Sequence, residues 1–137
     1  MPVRVYWDDD PSFGEKRVLR IDYIGAWTWE ELYSTRGWAT DEFDRLPHPY
    51  SVIVLHNWTQ QTHLPLNIFV KGREIILARH PRTGLHILMG VNPTFIALWQ
   101  VFVRFYMPKS PLRFEFALNM KDARTIIEQE ITKSGTP

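Results

Sequence analysis

The chain predicts an α/β fold: a mixed, mostly parallel sheet with an N-terminal antiparallel hairpin and about four helices. Three observations lead there. Short β-prone runs alternate with segments of helical period along nearly the whole sequence. The first two runs are joined by turn formers alone, which fits a hairpin and not a crossover. Capping residues stand where the strand period gives way to the helical one.

VRVYW (3–7) and KRVLRIDYIG (16–25) read as strands, and the intervening DDDPSFGE as a solvated turn. Period two in the second run puts Leu19, Ile21 and Tyr23 on one face, with Val18, Arg20, Asp22 and Ile24 on the other. In TWEEL, Thr28 and Glu31 have capping-box spacing; Trp29, Leu32, Tyr33, Ala39, Phe43 and Leu46 follow at helical intervals. The prolines of LPHPY end that helix. SVIVLH (51–56) is an unbroken apolar run, as in a strand covered on both faces. A polar loop, 57–66, then opens NIFVKGREIILARHP, a helix with Phe69, Val70, Ile76 and Leu77 inward. LHILMGV (85–91) is another buried strand. Asn92 and Pro93 suit the cap and first turn of a third helix, which runs to Tyr106. LRFEFAL (112–118) alternates as the last strand, and Asn119 caps a final helix, MKDARTIIEQEI. The order β-β-α-β-α-β-α-β-α makes residues 1–137 one domain, with 131–137 as a frayed tail.

Composition narrows the function classes. Sixteen basic residues against 15 acidic ones give a net charge of +1, too little to gather nucleic acid, so no nucleic-acid partner is expected. The absence of cysteine removes disulfides, thiolate catalysis and Cys-based zinc sites. FIALWQVFVRFYM, the longest apolar stretch, is too short for a bilayer and carries Gln100 and Arg104, so no membrane span is expected. MPVRVYWDDD lacks the basic-then-apolar opening of a signal peptide, and a cytoplasmic location is the expectation.

The element order and three local stretches resemble the STAS domain, the sulfate-transporter and anti-sigma-factor-antagonist family, in a divergent single-domain form. VLRIDYIGAWTWEEL resembles its strand–helix opening, VIVLHNWTQQTHLP its central strand and switch loop, and LHILMGVNPTFIALWQVF the following unit. The similarity runs from Lys16 to Glu130. It implies a non-catalytic regulatory or protein-interaction module. In signalling members, a serine after an aspartate in the switch loop is phosphorylated, and the helix N-terminus beside it suits the anion. The corresponding loop here, 57–66, has neither serine nor aspartate; Thr59 and Thr62 carry its only hydroxyls.

The residues themselves offer little catalytic chemistry. His56 and His63 lack a nearby carboxylate or third ligand, so Asp22 or Glu115 would have to be brought to them. No GxSxG elbow and no glycine-rich phosphate loop is present. The expectation is no enzyme, no metal and no cofactor. Arg73, Arg79, His80 and Arg82 form a basic cluster near a helix end, where cations are favoured anyway. Asn57, Thr59, Thr62, His63 and Asn67 form a candidate ligand or partner loop, because loops at the carboxyl ends of parallel strands favour binding.

The third helix is the most informative segment. Its apolar residues cover an arc of roughly 220°, about twice that of a helix buried on one side. Ile96, Trp99, Val101, Val103 and Phe105 are therefore candidate interface residues, and a homodimer or another protein partner is expected. The aromatic surplus supports a second reading, a carrier or binder of a small apolar ligand or lipid.

Overall fold

The computed structural model describes residues 2–77, 80–106 and 113–133. Strands β1 (Val3–Trp7) and β2 (Val18–Gly25) form the expected antiparallel hairpin. The aspartates between them build the turn. Asp10 accepts hydrogen bonds from the Ser12 backbone and hydroxyl, Asp8 accepts from the Asp10 backbone N–H, and a short 3-10 turn spans Pro11–Phe13.

After β2 come α1 (Trp29–Tyr33) and α2 (Arg36–Asp44), two short helices where one was expected. The capping box forms: Thr28 accepts from the Glu31 N–H while Glu31 accepts from the Thr28 N–H. The break comes from Ser34 and Thr35. Their hydroxyls donate to the Glu31 and Leu32 carbonyls, a local competition that disfavours helix interiors. The remaining elements are β3 (Val52–Gln61), α3 (Ile68–Leu77), β4 (Thr83–Met89), α4 (Pro93–Tyr106), β5 (Phe114–Ala117) and α5 (Met120–Lys133). Asn92 and Asn119 cap α4 and α5 as expected, accepting from Phe95 and Asp122 N–H groups.

The five strands lie in chain order, β1-β2-β3-β4-β5, and every pair after the hairpin is parallel. Crossovers of one hand in such a sheet place successive helices on the same face. On that face, Leu19, Val52 and Val54 pack against Phe43 of α2. Tyr23, Trp58 and Leu88 pack against Leu32 of α1 and Phe95 and Trp99 of α4, with Ile68, Phe69 and Ile75 of α3 alongside. The opposite face is aliphatic at its centre. Val18, Ile53, Leu55, Leu85 and Ile87 lie beneath Ala123 and Ile127 of α5, with Phe13 closing the end. Each fully buried aliphatic side chain contributes about 1.5–3 kcal/mol.

Several expectations need correction. Strand β3 continues through residues 57–61, half of the expected loop, because it keeps pairing with β2 as far as Gly25 opposite Gln61. A register shift between Asp22 and Ile24 makes this possible. Val70 points outward at 57% exposure, not inward, while Phe69 stacks on Phe95 and Trp99. The side chains of Ile76 and Leu77 lie outside the described residues. Helix α5 persists to Lys133, so residues 131–133 are not frayed, and Ile131 packs on the aliphatic core. Residues 134–137 lie outside the described residues.

Candidate functional site

Two places at the carboxyl side of the sheet gather polar or reactive groups, and β3 contributes to both. The first is the strand end and loop singled out by sequence. Asn57 is buried on the α5 face, where its Nδ2 donates to Asp22 Oδ1 at 3.0 Å. Its own Oδ1 accepts from the Thr59 N–H and hydroxyl. Thr62 and His63 are exposed and adjacent, with His63 Nδ1 3.1 Å from Thr62 Oγ1. They line an open groove of about 250 Å³ together with Gln61, Leu64, Gly90 and Asn92. Asn67 sits apart at the start of α3, in the left-handed region at φ 61°, its carbonyl accepting from Lys71 N–H. The five loop candidates therefore fall into three places. Two tryptophans hold the loop down: Trp27 Nε1 donates to Gln61 Oε1 and Trp29 Nε1 to the Leu66 carbonyl, each at 2.8 Å.

The second place was not visible as a unit in the sequence. On the helix-covered face a ladder of rings crosses four strands: Tyr23 on β2, His56 on β3, His86 on β4 and Phe114 on β5. Successive centroids are 5.9, 5.2 and 5.3 Å apart, with planes within 23° of parallel. The first three also form a hydrogen-bonded line. The Tyr23 oxygen lies 2.9 Å from His56 Nδ1, and His56 Nε2 lies 3.0 Å from His86 Nδ1. With Tyr23 donating, the His56 proton resides on Nε2 and is donated to His86, so the line runs one way. Period two carries the available signal: Val52, Val54 and His56 share one face of β3, and Tyr23 shares the corresponding face of β2.

Burial fixes the charge state of this line. It pushes the Tyr23 phenol well above its ordinary value, with the nearby Trp58 indole acting in the opposite direction. Trp58 Nε1 nevertheless does not meet hydrogen-bond geometry with that oxygen. Burial, and secondarily His86, hold His56 well below the usual imidazole value. A group whose folded value is depressed leaves the unfolded chain binding more protons, so stability is complete above the unfolded value of about 6.5 and falls as pH drops below it. From His56 alone the slope reaches about 1.4 kcal/mol per pH unit. Urea midpoints between pH 7.5 and 5 are expected to show this decline, and His56→Phe, which keeps a ring in the ladder, to flatten it.

The ladder forms one wall of a half-open aromatic cavity of about 70 Å³ between the sheet, α1, α3 and α4. Trp27, Trp29, Trp58, Leu88, Phe95 and Trp99 complete most of its lining, and none of the lining residues is acidic or carries a permanent charge. This volume is below the roughly 150 Å³ at which an apolar cavity holds benzene or xenon.

The catalytic arrangement that sequence reasoning required does not assemble. His56 faces the cavity and His63 the solvent, and Asp22 lies on the opposite face of the sheet, bound to Tyr6 and Asn57. Glu115 is exposed on β5. Among the described residues no group of three His, Asp or Glu side chains is placed to hold a metal ion. Two members of the basic cluster are taken up structurally: Arg82 donates to the His48 and Tyr50 carbonyls, and His80 lies 2.7 Å from Asp44, while Arg73 is exposed. Arg79 is outside the described residues.

On α4 the interface candidates separate. Trp99 is buried, and Ile96 and Val103 pack against the aromatic core. Val101 and Phe105 are exposed, and Leu98, not singled out by sequence, joins them. No helix among the described residues is long and apolar enough to cross a membrane. No protein-family model matches the chain, and neither does any curated protein or solved structure.

Proposed function

We propose that this chain is a non-catalytic regulatory module of STAS-like type that acts by binding protein, in the first instance a second copy of itself, through the outer face of α4. One observation carries the reading. Leu98, Val101 and Phe105 are 54%, 50% and 69% exposed, and their spacing of three and four residues draws them into a single apolar stripe along the helix. Isolated exposed apolar residues need no explanation, whereas three large ones in a row mark an association surface. A stripe with the 3–4 spacing of a helix seam suits pairing with its own image about a two-fold axis, in which each residue meets the partner's equivalent stripe. The resemblance to STAS domains supports the regulatory role, and the separation of His56 and His63 from Asp22 and Glu115 supports binding over catalysis.

Sedimentation of the wild-type chain at tens of micromolar is expected to give a dimer. The double variant Val101→Glu, Phe105→Glu places charges in the seam while leaving the core untouched. It is expected to weaken association by about 2–4 kcal/mol, roughly 30- to 1000-fold. A wild-type chain that sediments as a monomer across this range would end the reading.

A further inference from the structure

The apolar stripe on α4 leans toward α3, and the lean fixes how a second copy seats. Resting on self-association through α4, we infer that α4 of the second copy lies in the furrow between α3 and α4. The contact then takes in Val70 of α3 as well as the stripe. Area is the first argument. At their exposures Leu98, Val101 and Phe105 offer on the order of 300 Å². A stable interface covers about 800 Å² on each partner. One helix is too little, so its neighbour contributes.

The wheel of each helix identifies that neighbour. Phe102 packs against Phe69 of α3 with ring centroids 5.4 Å apart, which marks the side of α4 that faces α3. At about 100° per residue, Leu98 and Phe105 stand roughly 40° and 60° from Phe102, whereas Gln100 and Arg104 stand roughly 160° away. The stripe therefore borders α3, and the polar positions turn from it. On α3, Ile68 and Ile75 face the cavity. Val70 stands roughly 140–160° from them and is 57% exposed. Both banks of the furrow are thus apolar, with Val70 on one and Leu98 and Phe105 on the other. Arg73, exposed beside Val70, lays its aliphatic stem along the furrow with its head in water. Ridge and furrow adjoin on one surface, so a two-fold rotation seats each copy's ridge in the other's furrow and covers both.

Sedimentation of Val70→Glu and Gln100→Glu beside the wild-type chain tests this. Both positions are exposed, so neither substitution disturbs the core. Val70→Glu is expected to weaken dimerisation about tenfold or more, and Gln100→Glu to leave it within about twofold of wild type. The chain has no cysteine, so single thiols give a second reading that does not depend on the charged variants folding. Val70→Cys is expected to react with a maleimide several-fold more slowly at tens of micromolar than at high dilution, and Gln100→Cys equally fast at both. A wild-type dimer that Val70→Glu leaves intact, equal weakening by Val70→Glu and Gln100→Glu, or equal labelling of Val70→Cys at both concentrations overturns the furrow while sparing the α4 stripe. A wild-type monomer overturns both.

Discussion

Gly90→Ala is expected to lower the unfolding free energy by about 2–4 kcal/mol, the sum of backbone strain and steric overlap. Gly90 follows β4 with φ +83°, a left-handed conformation that side chains with a Cβ rarely adopt. A Cβ there would lie 2.6 Å from Thr59 Cγ2, 3.0 Å from Thr59 N and 3.1 Å from Thr59 Cα. The last two contacts are with strand β3 itself, so no rotamer change relieves them. Gly14 is the internal comparison: its φ is +88°, yet nothing lies within 4 Å of the point its Cβ would occupy. Gly14→Ala is therefore expected to lose only about 1–2 kcal/mol. Denaturant midpoints of the two variants, at unchanged m-value, separate strain from overlap. Equal losses would show that Thr59 and β3 yield freely.

Asp22→Ala is expected to cost about 3 kcal/mol, at the lower end for removing one partner of a buried charged network. Asp22 is buried on β2. Its Oδ2 accepts from the Tyr6 hydroxyl at 2.7 Å, its Oδ1 from Asn57 at 3.0 Å, and Arg20 lies 3.5 Å away. Deleting the carboxylate strands the buried Asn57 amide N–H, while part-buried Arg20 keeps Asp8 at 3.8 Å. Tyr6 reports the same network, because burial and then its hydrogen bond to Asp22 raise its phenol above the ordinary value. A double-mutant cycle of Asp22→Ala with Asn57→Ala is expected to show coupling of at least about 1 kcal/mol. Additive losses would mean that Asn57 is held by Thr59 alone.

The element order was legible because period and capping agree at nearly every boundary. Thr28 with Glu31, Asn92 with Pro93, and Asn119 each mark a helix start that the structure keeps. What the sequence hid was pairing across strands. The stretch Asn57–Gln61 is polar enough to read as loop, but a shifted register with β2 and the Trp27 hydrogen bond to Gln61 hold it extended. Tyr23, His56 and His86 are far apart in sequence and meet only because parallel β2, β3 and β4 bring equivalent parities side by side. On α4 the width of the apolar arc was readable, yet not which part α3 would cover. Phe69 settles that by stacking on Phe95 and Trp99, leaving Leu98, Val101 and Phe105 outward.

Strands laid side by side in chain order touch only their immediate predecessors and successors, as in a repeat array, and such arrays can open unit by unit from an end. The last helix prevents this. After β5 at one margin, α5 doubles back to the turn that joins β1 and β2, where Ile127 shares a cluster with Phe13 and Arg124 pairs with Asp10. The first and last parts of the series are thereby clasped together, and loss of either releases the other. A layout that would otherwise melt gradually is made to unfold as one cooperative body.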